Sequence, residues 1–516
     1  MASRPEGQRI WYTHATLNDT FLEEEQTMTN RLLRLLIIGI LLPTAVFAGT
    51  REDVLVQLNS GASTKGPENT KSWRIFFDAC LEMTPTPTPA GEALTLRKVW
   101  PGMQDWAIVS DWASQNEHME NAFLESAKRA LVGLPYGSEH VPDAYQEAGV
   151  VAEIGVDGSL QHFDFSYIAT VQKACLWSTA ETYRLFEAGE TERAIRLLMS
   201  ELIVLRKFCD RDFLKEQLIF MPMLGVALEN TRDMFYNYRE KVSSAQFRTF
   251  AKEWIPYLQT GPNRLLMPEG DRVVGEALLM ELFKSNGDPD PAKFREVLTD
   301  VQARREPLTR FGAAKYWATI SMIHRGRNDS MKRLNLIYDD WWRRWKMRAF
   351  HPQLKVDTAL QRSNPVKYAA VNMIIRDIEA LFSERDLLTT QINGTAVSAA
   401  LCGYINHYSV YPSAIKKMYA QLLNRSSNLD YLRPLDLRTD AAWELYDYPV
   451  AGFHYRRINK DTKIQTLVGD VTVNKGECLL YGVSQNNEDD RGLNAGEDAI
   501  IWPPLKTLER NAGMLD

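Results

Sequence analysis

Cysteine is scarce in this chain, five residues in 516 (Cys80, Cys175, Cys209, Cys402 and Cys478). They lie far apart, with no C-x-x-C pair and no zinc-ligand spacing, which excludes a zinc module built on local sequence. An odd number leaves at least one thiol free or paired between chains. Cys175, Cys209 and Cys402 sit in helical, apolar surroundings, where a free thiol behaves as a small hydrophobe. Catalytic signatures are missing too: there is no G-x-S-x-G, P-loop or G-x-G-x-x-G. None of the eight histidines falls in H-E-x-x-H or beside a cysteine at metal spacing. His407 and His454 are the two to follow, with a satisfied structural histidine as the plain reading. Carboxylates abound, but sequence cannot pair two of them across a cleft for glycoside chemistry. A net charge of -6 excludes the basic footprint of a nucleic-acid binder.

What is there is size: 45% hydrophobic and 24% charged residues over this length bury a large core and divide into more than one domain. One long apolar run stands out, from Met28 to Thr50. Arg31 and Arg34 form a positive n-region, Leu35 to Leu42 an apolar h-region, and Pro43 breaks the helix. Val46 and Ala48 occupy the small-residue positions that a signal peptidase reads, giving a mature start at Gly49. Residues 1–27, which contain Glu23-Glu24-Glu25, read as a mis-assigned extension ahead of an initiator Met28. A retained anchor over residues 32–47 is the rival reading. That run is short of the roughly 20 apolar residues a spanning helix needs, so cleavage is preferred.

Residues 49–99 form a short segment with an apolar cluster at Trp73, Ile75, Phe76 and Phe77. Its Thr84–Pro89 repeat (TPTPTP) must be extended, because each proline forces its predecessor out of the helix region, and it reads as a stiff spacer. From 100 to 394 the period is helical. Ala194, Leu198, Leu202, Leu205 and Cys209 form one buried stripe. Gly189 closes a preceding helix (about 165–188) and Thr191 N-caps the next, which makes a helical hairpin. Asp290-Pro291 is an N-cap with proline in the first turn, and Pro307 marks a later stop. The expected fold is mainly α, a helical-hairpin array or irregular bundle, with strands confined to a small C-terminal α+β domain at 395–516. There the β-like runs are Phe453 to Tyr455, Ile464 to Val468, Cys478 to Val483 and Ile500 to Trp502.

The C-terminal order is a helix, Tyr411-Pro412 opening a second helix, short strands, then YGVSQNNEDDRGLNAGEDAIIW (Tyr481 to Trp502). It resembles the end of the type II secretion major pseudopilin. It also resembles an uncharacterised family of large exported bacterial proteins, whose loop has Tyr481, Val483, Asn486, Asp489, Asp490, Gly492, Glu497, Asp498, Ile500 and Trp502 in this order. Asp111 to Ala130 and Pro268 to Phe283 resemble the helical part of that family. Gly482 and Ser484 exchange the family's Ser and Gly, while Asn487 and Arg491 replace glycines. The pilin Gly-Phe start with Glu at the fifth position is lacking, which argues against a fibre subunit. The resemblance implies a calcium loop, with Asn486 and Asp498 as side-chain ligands and Asp489 and Asp490 as further donors. A solvated acidic hairpin loop is the alternative.

The run DDWWRRWKMRAF (Asp339 to Phe350) suggests an interfacial or sugar-stacking helix. Leu334, Tyr338, Trp341, Trp345 and Ala349 share one face, however, leaving Arg343, Arg344 and Lys346 outside, and an amphipathic core helix explains that pattern. The reading preferred is an exported envelope protein of structural or interaction type. It would have a protein partner in the envelope, no nucleic acid, and membrane contact only through its N-terminal segment. A helical hydrolase acting on envelope glycan or peptide is the alternative.

Overall fold

Residues 50–259, 265–305, 310–347, 351–414, 453–482 and 489–515 are described by the computed structural model. The export-like segment 28–48, Pro307, Ala349, the helix expected after Pro412 and Asn486 lie outside them. Gly49–Asp516 makes one compact unit.

The chain opens with α1 (Arg51–Asn59), α2 (Trp73–Leu81), α3 (Trp106–Gln115), α4 (His118–Ala127) and α5 (Asp143–Glu147). A two-residue antiparallel hairpin follows, β1 (Glu153–Ile154) with β2 (Phe163–Asp164). Strands are therefore not wholly confined to the C-terminal part, although nothing longer interrupts the described helical section. Next come α6 (Tyr167–Glu187), α7 (Thr191–Phe208), α8 (Leu214–Asn237) and α9 (Ser244–Thr249), the last running through a π turn. Then follow α10 (Ile255–Tyr257), α11 (Gly270–Glu281), α12 (Pro291–Arg305), α13 (Arg310–Ser321), α14 (Arg327–Trp345), α15 (Ala369–Ile374) and α16 (Glu379–Tyr408). The C-terminal strands are β3 (His454–Arg457), β4 (Thr462–Gln465), β5 (Asp470–Val473), β6 (Cys478–Gly482) and β7 (Ala499–Trp502), closed by α17 (Leu505–Asn511).

Local signals placed several of these elements. The chain turns back between α6 and α7 at a left-handed Gly189 (φ +81), and the two helices pack together. The cap is Glu190 rather than Thr191, which is the first helical residue. Asp290 Oδ1 accepts from the Ala292 N–H at 2.9 Å, as an N-cap before Pro291 should. At the far end of α7, the Lys207 ammonium donates to the main-chain carbonyls of Ser126, Ala127 and Arg129, which tethers α7 to the C-terminal end of α4. Desolvation pushes that amine down to about 8.

One continuous apolar core runs from Val54 to Trp502 and takes in α1 and α2. Phe76, Phe77, Phe123, Phe208 and Trp177 are all buried there, and burial of each Phe contributes roughly 1.5–3 kcal/mol. The Thr-Pro stretch is extended but stitched down at its start. Thr84 N–H donates to Asn116 Oδ1 at 2.8 Å, and Trp112 Nε1 donates to the Thr84 carbonyl at 3.3 Å. All five cysteines are free and buried.

The change of sequence texture near 394–395 falls inside α16, which lies along α8 and reaches β7. The approach is close: a Cβ on Gly394 would sit 2.7 Å from Ile501 Cγ2. Strand order is β3-β6-β7, antiparallel, with β4-β5 as a separate hairpin. In β6, Cys478 and Leu480 join the main core, whereas Leu479 and Tyr481 join a second cluster with Ile464, Val471, Val473 and Leu508. Alternate residues serve opposite faces of a doubly buried strand. The run expected as strand from Ile464 to Val468 ends at Gln465. Leu467 and Val468 instead sit exposed at the hairpin tip, because Asp470–Val473 pairs back on β4.

The Trp-rich run is a core helix, with Leu334, Tyr338, Trp341 and Trp345 buried. Arg344 is buried too, against the expectation from periodicity. Its guanidinium reaches Asp340 Oδ2 at 3.0 Å and the carbonyls of Leu354, Val356 and Asp357, four hydrogen bonds that anchor the chain after the helix. Arg343 and Lys346 do face solvent.

Glu201 lies on the buried stripe of α7, fully enclosed, with the hydroxyls of Ser178 and Thr179 as its hydrogen-bond partners among the described residues. Burial pushes its carboxyl up to about 8. A folded value above the unfolded one means that its favourable contribution is complete in acid and lost as pH rises from about 4.5 to 8. Glu201→Gln should therefore flatten the fall in melting temperature between pH 5 and 8 and melt above the parent at pH 8.5. Parallel melting curves for both proteins would overturn this.

Candidate functional site

Residues between β6 and β7 form the candidate site. The pairing Gly482↔Ala499 brings the two ends of the acidic loop side by side. Its C-terminal half is held against β4: Gln465 N–H donates to the Leu493 carbonyl and Ala495 N–H to the Gln465 carbonyl, both at 2.8 Å. Gly492 takes φ +69, and a Cβ there would lie 2.8 Å from the Tyr481 ring. Arg491, where the resembled family has Gly, also adopts a left-handed φ of +62. Its N–H donates to Asp489 Oδ1 at 2.8 Å, and that local turn offsets part of the roughly 1–2 kcal/mol strain.

Asp498 is the buried member, 1% exposed. Its Oδ2 accepts from the Gly492 N–H at 2.8 Å, while Oδ1 is buried with no hydrogen-bond partner among the described residues. Burial pushes the carboxyl up to about 6; the Gly492 N–H opposes the shift, and the charges of Asp489 and Asp490 add to it. Asp489 is exposed and accepts from the Tyr481 hydroxyl at 3.1 Å, with His454 Nδ1 at 3.5 Å from its other oxygen. The His454 ring stacks on Tyr481 with centroids 5.3 Å apart. Asp490 is half-buried, and its carbonyl accepts from the Leu493 N–H. Asp489 and Asp490 thus lie within electrostatic reach of Asp498, whereas Asn486 is outside the described residues. His407, the other histidine marked by sequence, sits on α16 with its ring against Tyr408.

Among the described residues, no three His, Cys, Asp or Glu side chains converge on a metal position. The donor chemistry nevertheless suits a hard cation: all-oxygen, acidic, with one enclosed oxygen lacking a donor. Asp498 would hold calcium through that oxygen, with Asp489 or Asp490 adding charge.

Two buried ion pairs and a cavity escaped sequence reasoning. Arg211 and Glu216 form an ion pair with both side chains wholly buried, joined by the hydroxyls of Tyr136 and Tyr167. Asp233 of α8 pairs with Arg510 of α17. A cavity of about 810 Å³ lies between residues 89–104, α8, the β4–β5 tip and the β7–α17 segment. Glu201 had a signal, since it stands at the i+3 position from Leu198 on an apolar stripe. Asp233 and Arg510 had none, because they stand 277 residues apart; Arg211 and Glu216 are five apart, but the Tyr136 and Tyr167 hydroxyls that enclose the pair come from distant segments. No family model, characterised protein or solved structure matches the chain.

Proposed function

We propose that this is an exported protein of the bacterial cell envelope that works by interaction, and that its β6–β7 loop is a calcium-responsive element. The observation that carries the loop reading is Asp498, a buried carboxylate with one oxygen unsatisfied among the described residues and under the charge of Asp489 and Asp490. Divalent cation supplies the missing positive charge and joins the loop to both strands. Export rests on Arg31, Arg34, the apolar run and Ala48. Sequencing of the native N-terminus should begin at Gly49, or at Met28 in a membrane-retained chain. A soluble cytoplasmic product beginning at Met1 would sink it.

The loop is tested on the full chain by melting in millimolar calcium and in chelator. Calcium at a hundredfold excess over Kd should add about 2.7 kcal/mol. In chelator the raised Asp498 value makes its contribution complete in acid and lost as pH rises through about 6. Asp498→Asn should therefore abolish the calcium response and melt above the parent in chelator at pH 7.5. Equal midpoints with calcium and chelator would leave an acidic loop without a ligand.

The hydrolase reading draws on Asp212, which accepts from the Ser63 hydroxyl and is pushed up to about 6 by burial, with Glu216 and Glu269 adding to the shift. Neither the 810 Å³ cavity nor a smaller one at Phe163 and Arg376 is lined by Asp212 or Glu269, which favours interaction over catalysis. Turnover of envelope glycan or peptide that Asp212→Asn abolishes would reverse that preference.

A further inference from the structure

The 810 Å³ cavity has the volume of a small-molecule site and a mainly apolar wall that includes Leu94, Trp100, Met103 and Leu505. Leu467, 93% exposed at the β4–β5 tip, stands at the same cavity. An apolar side chain presented to water beside an apolar recess is a natural lip for an apolar guest.

The charges lining it do not balance. Arg97 pairs with Glu229 at 3.5 Å, and Lys98 with Glu92 at 2.7 Å. Arg510 pairs with Asp233 and lies over the Trp100 ring, 4.5 Å from its centroid. Arg232, 3% exposed, has only neutral partners: it donates to Thr395 Oγ1 at 2.7 Å and Gln391 Oε1 at 2.6 Å. Lys506 Nζ likewise donates to Asn230 Oδ1 at 3.0 Å and the Val99 carbonyl at 3.5 Å. Among the described residues neither forms an ion pair, and the nearest carboxylates, Glu229 for Arg232 and Asp233 and Glu229 for Lys506, act only at longer range while paired with Arg97 and Arg510. Glu509 is the remaining described lining carboxylate without one, so the described wall carries two cations outside ion pairs against one such anion. Enclosing a cation without a counter-charge is costly, and a bound anion removes that cost.

We infer that the cavity binds an amphiphile with a single carboxylate head, the head meeting Arg232 and Lys506 and the apolar chain lying along Leu94, Trp100 and Leu505 towards Leu467. Among the described residues, one net positive charge outside ion pairs matches one negative head.

Dodecanoate, dodecanol and acetate, each below any micelle-forming concentration, are titrated calorimetrically into the full chain at pH 7. Dodecanoate should bind at least tenfold tighter than dodecanol, and acetate should not bind detectably. Lys506→Met should bring dodecanoate to within threefold of dodecanol, while Lys506→Arg keeps the preference. Equal binding of acid and alcohol by the parent, no binding of either, or acetate binding as tightly as dodecanoate would each overturn the assignment. These parent comparisons decide it even if Lys506→Met fails to fold.

Discussion

Asp233→Ala is expected to destabilise the chain by about 3–5 kcal/mol, the loss typical of breaking a buried ion pair from one side. Asp233 is fully buried on α8 and accepts from the Tyr183 hydroxyl, the Thr507 hydroxyl and the Arg510 guanidinium. Alanine leaves a buried guanidinium without its counter-charge and two hydroxyls without an acceptor. Two of those donors belong to α17, so the effect should concentrate at the C-terminal end. Hydrogen exchange in Leu505–Asn511 should quicken more than in α6 or α7. Asp233→Asn, which keeps an acceptor, should lose less. A loss under 1 kcal/mol by denaturant titration, with uniform exchange, would mean that water reaches the pair in solution.

Arg211→Met should have an effect of similar size, again about 3–5 kcal/mol. The guanidinium donates to Glu216 Oε1 at 3.0 Å and to the Leu134 carbonyl at 2.7 Å, and lies over the Tyr136 ring at 4.1 Å. Methionine fills much of the space but strands the buried Glu216 carboxylate on neutral donors: Tyr136 and Tyr167 hydroxyls at 2.7 and 2.5 Å, and the Phe213 N–H at 3.2 Å. The double variant with Glu216→Gln removes both charges together. It should recover to within about 2 kcal/mol of the parent, because replacing a whole buried pair avoids an isolated charge. If the two single losses simply add in the double variant, the pair is not coupled and the assignment of its role fails.

Sequence alone determined what depends on a residue's own neighbours along the chain. The turn at Gly189, the start at Asp290-Pro291, the extended Thr-Pro stretch and the runs that became β3, β6 and β7 follow from φ restriction, capping and period. So does the inward face of the Trp-rich helix. The same information placed the strands at Cys478–Gly482 and Ala499–Trp502, with Asp498 immediately before the second. Tertiary structure decided where charge is buried, because a charge can be enclosed only where folding delivers its partners. Arg344 turned inward once the carbonyls of Leu354, Val356 and Asp357 lay within reach. Asp233 found Arg510, 277 residues away, and no periodicity within α8 records that. Leu467, which reads as strand, became a hairpin tip at the mouth of a cavity because β5 paired back upon β4. For Asp498 both levels were needed. The sequence placed an acid beside acids, and only the packing of Gly492 against Tyr481 and of the loop against β4 enclosed it, leaving one oxygen without a donor.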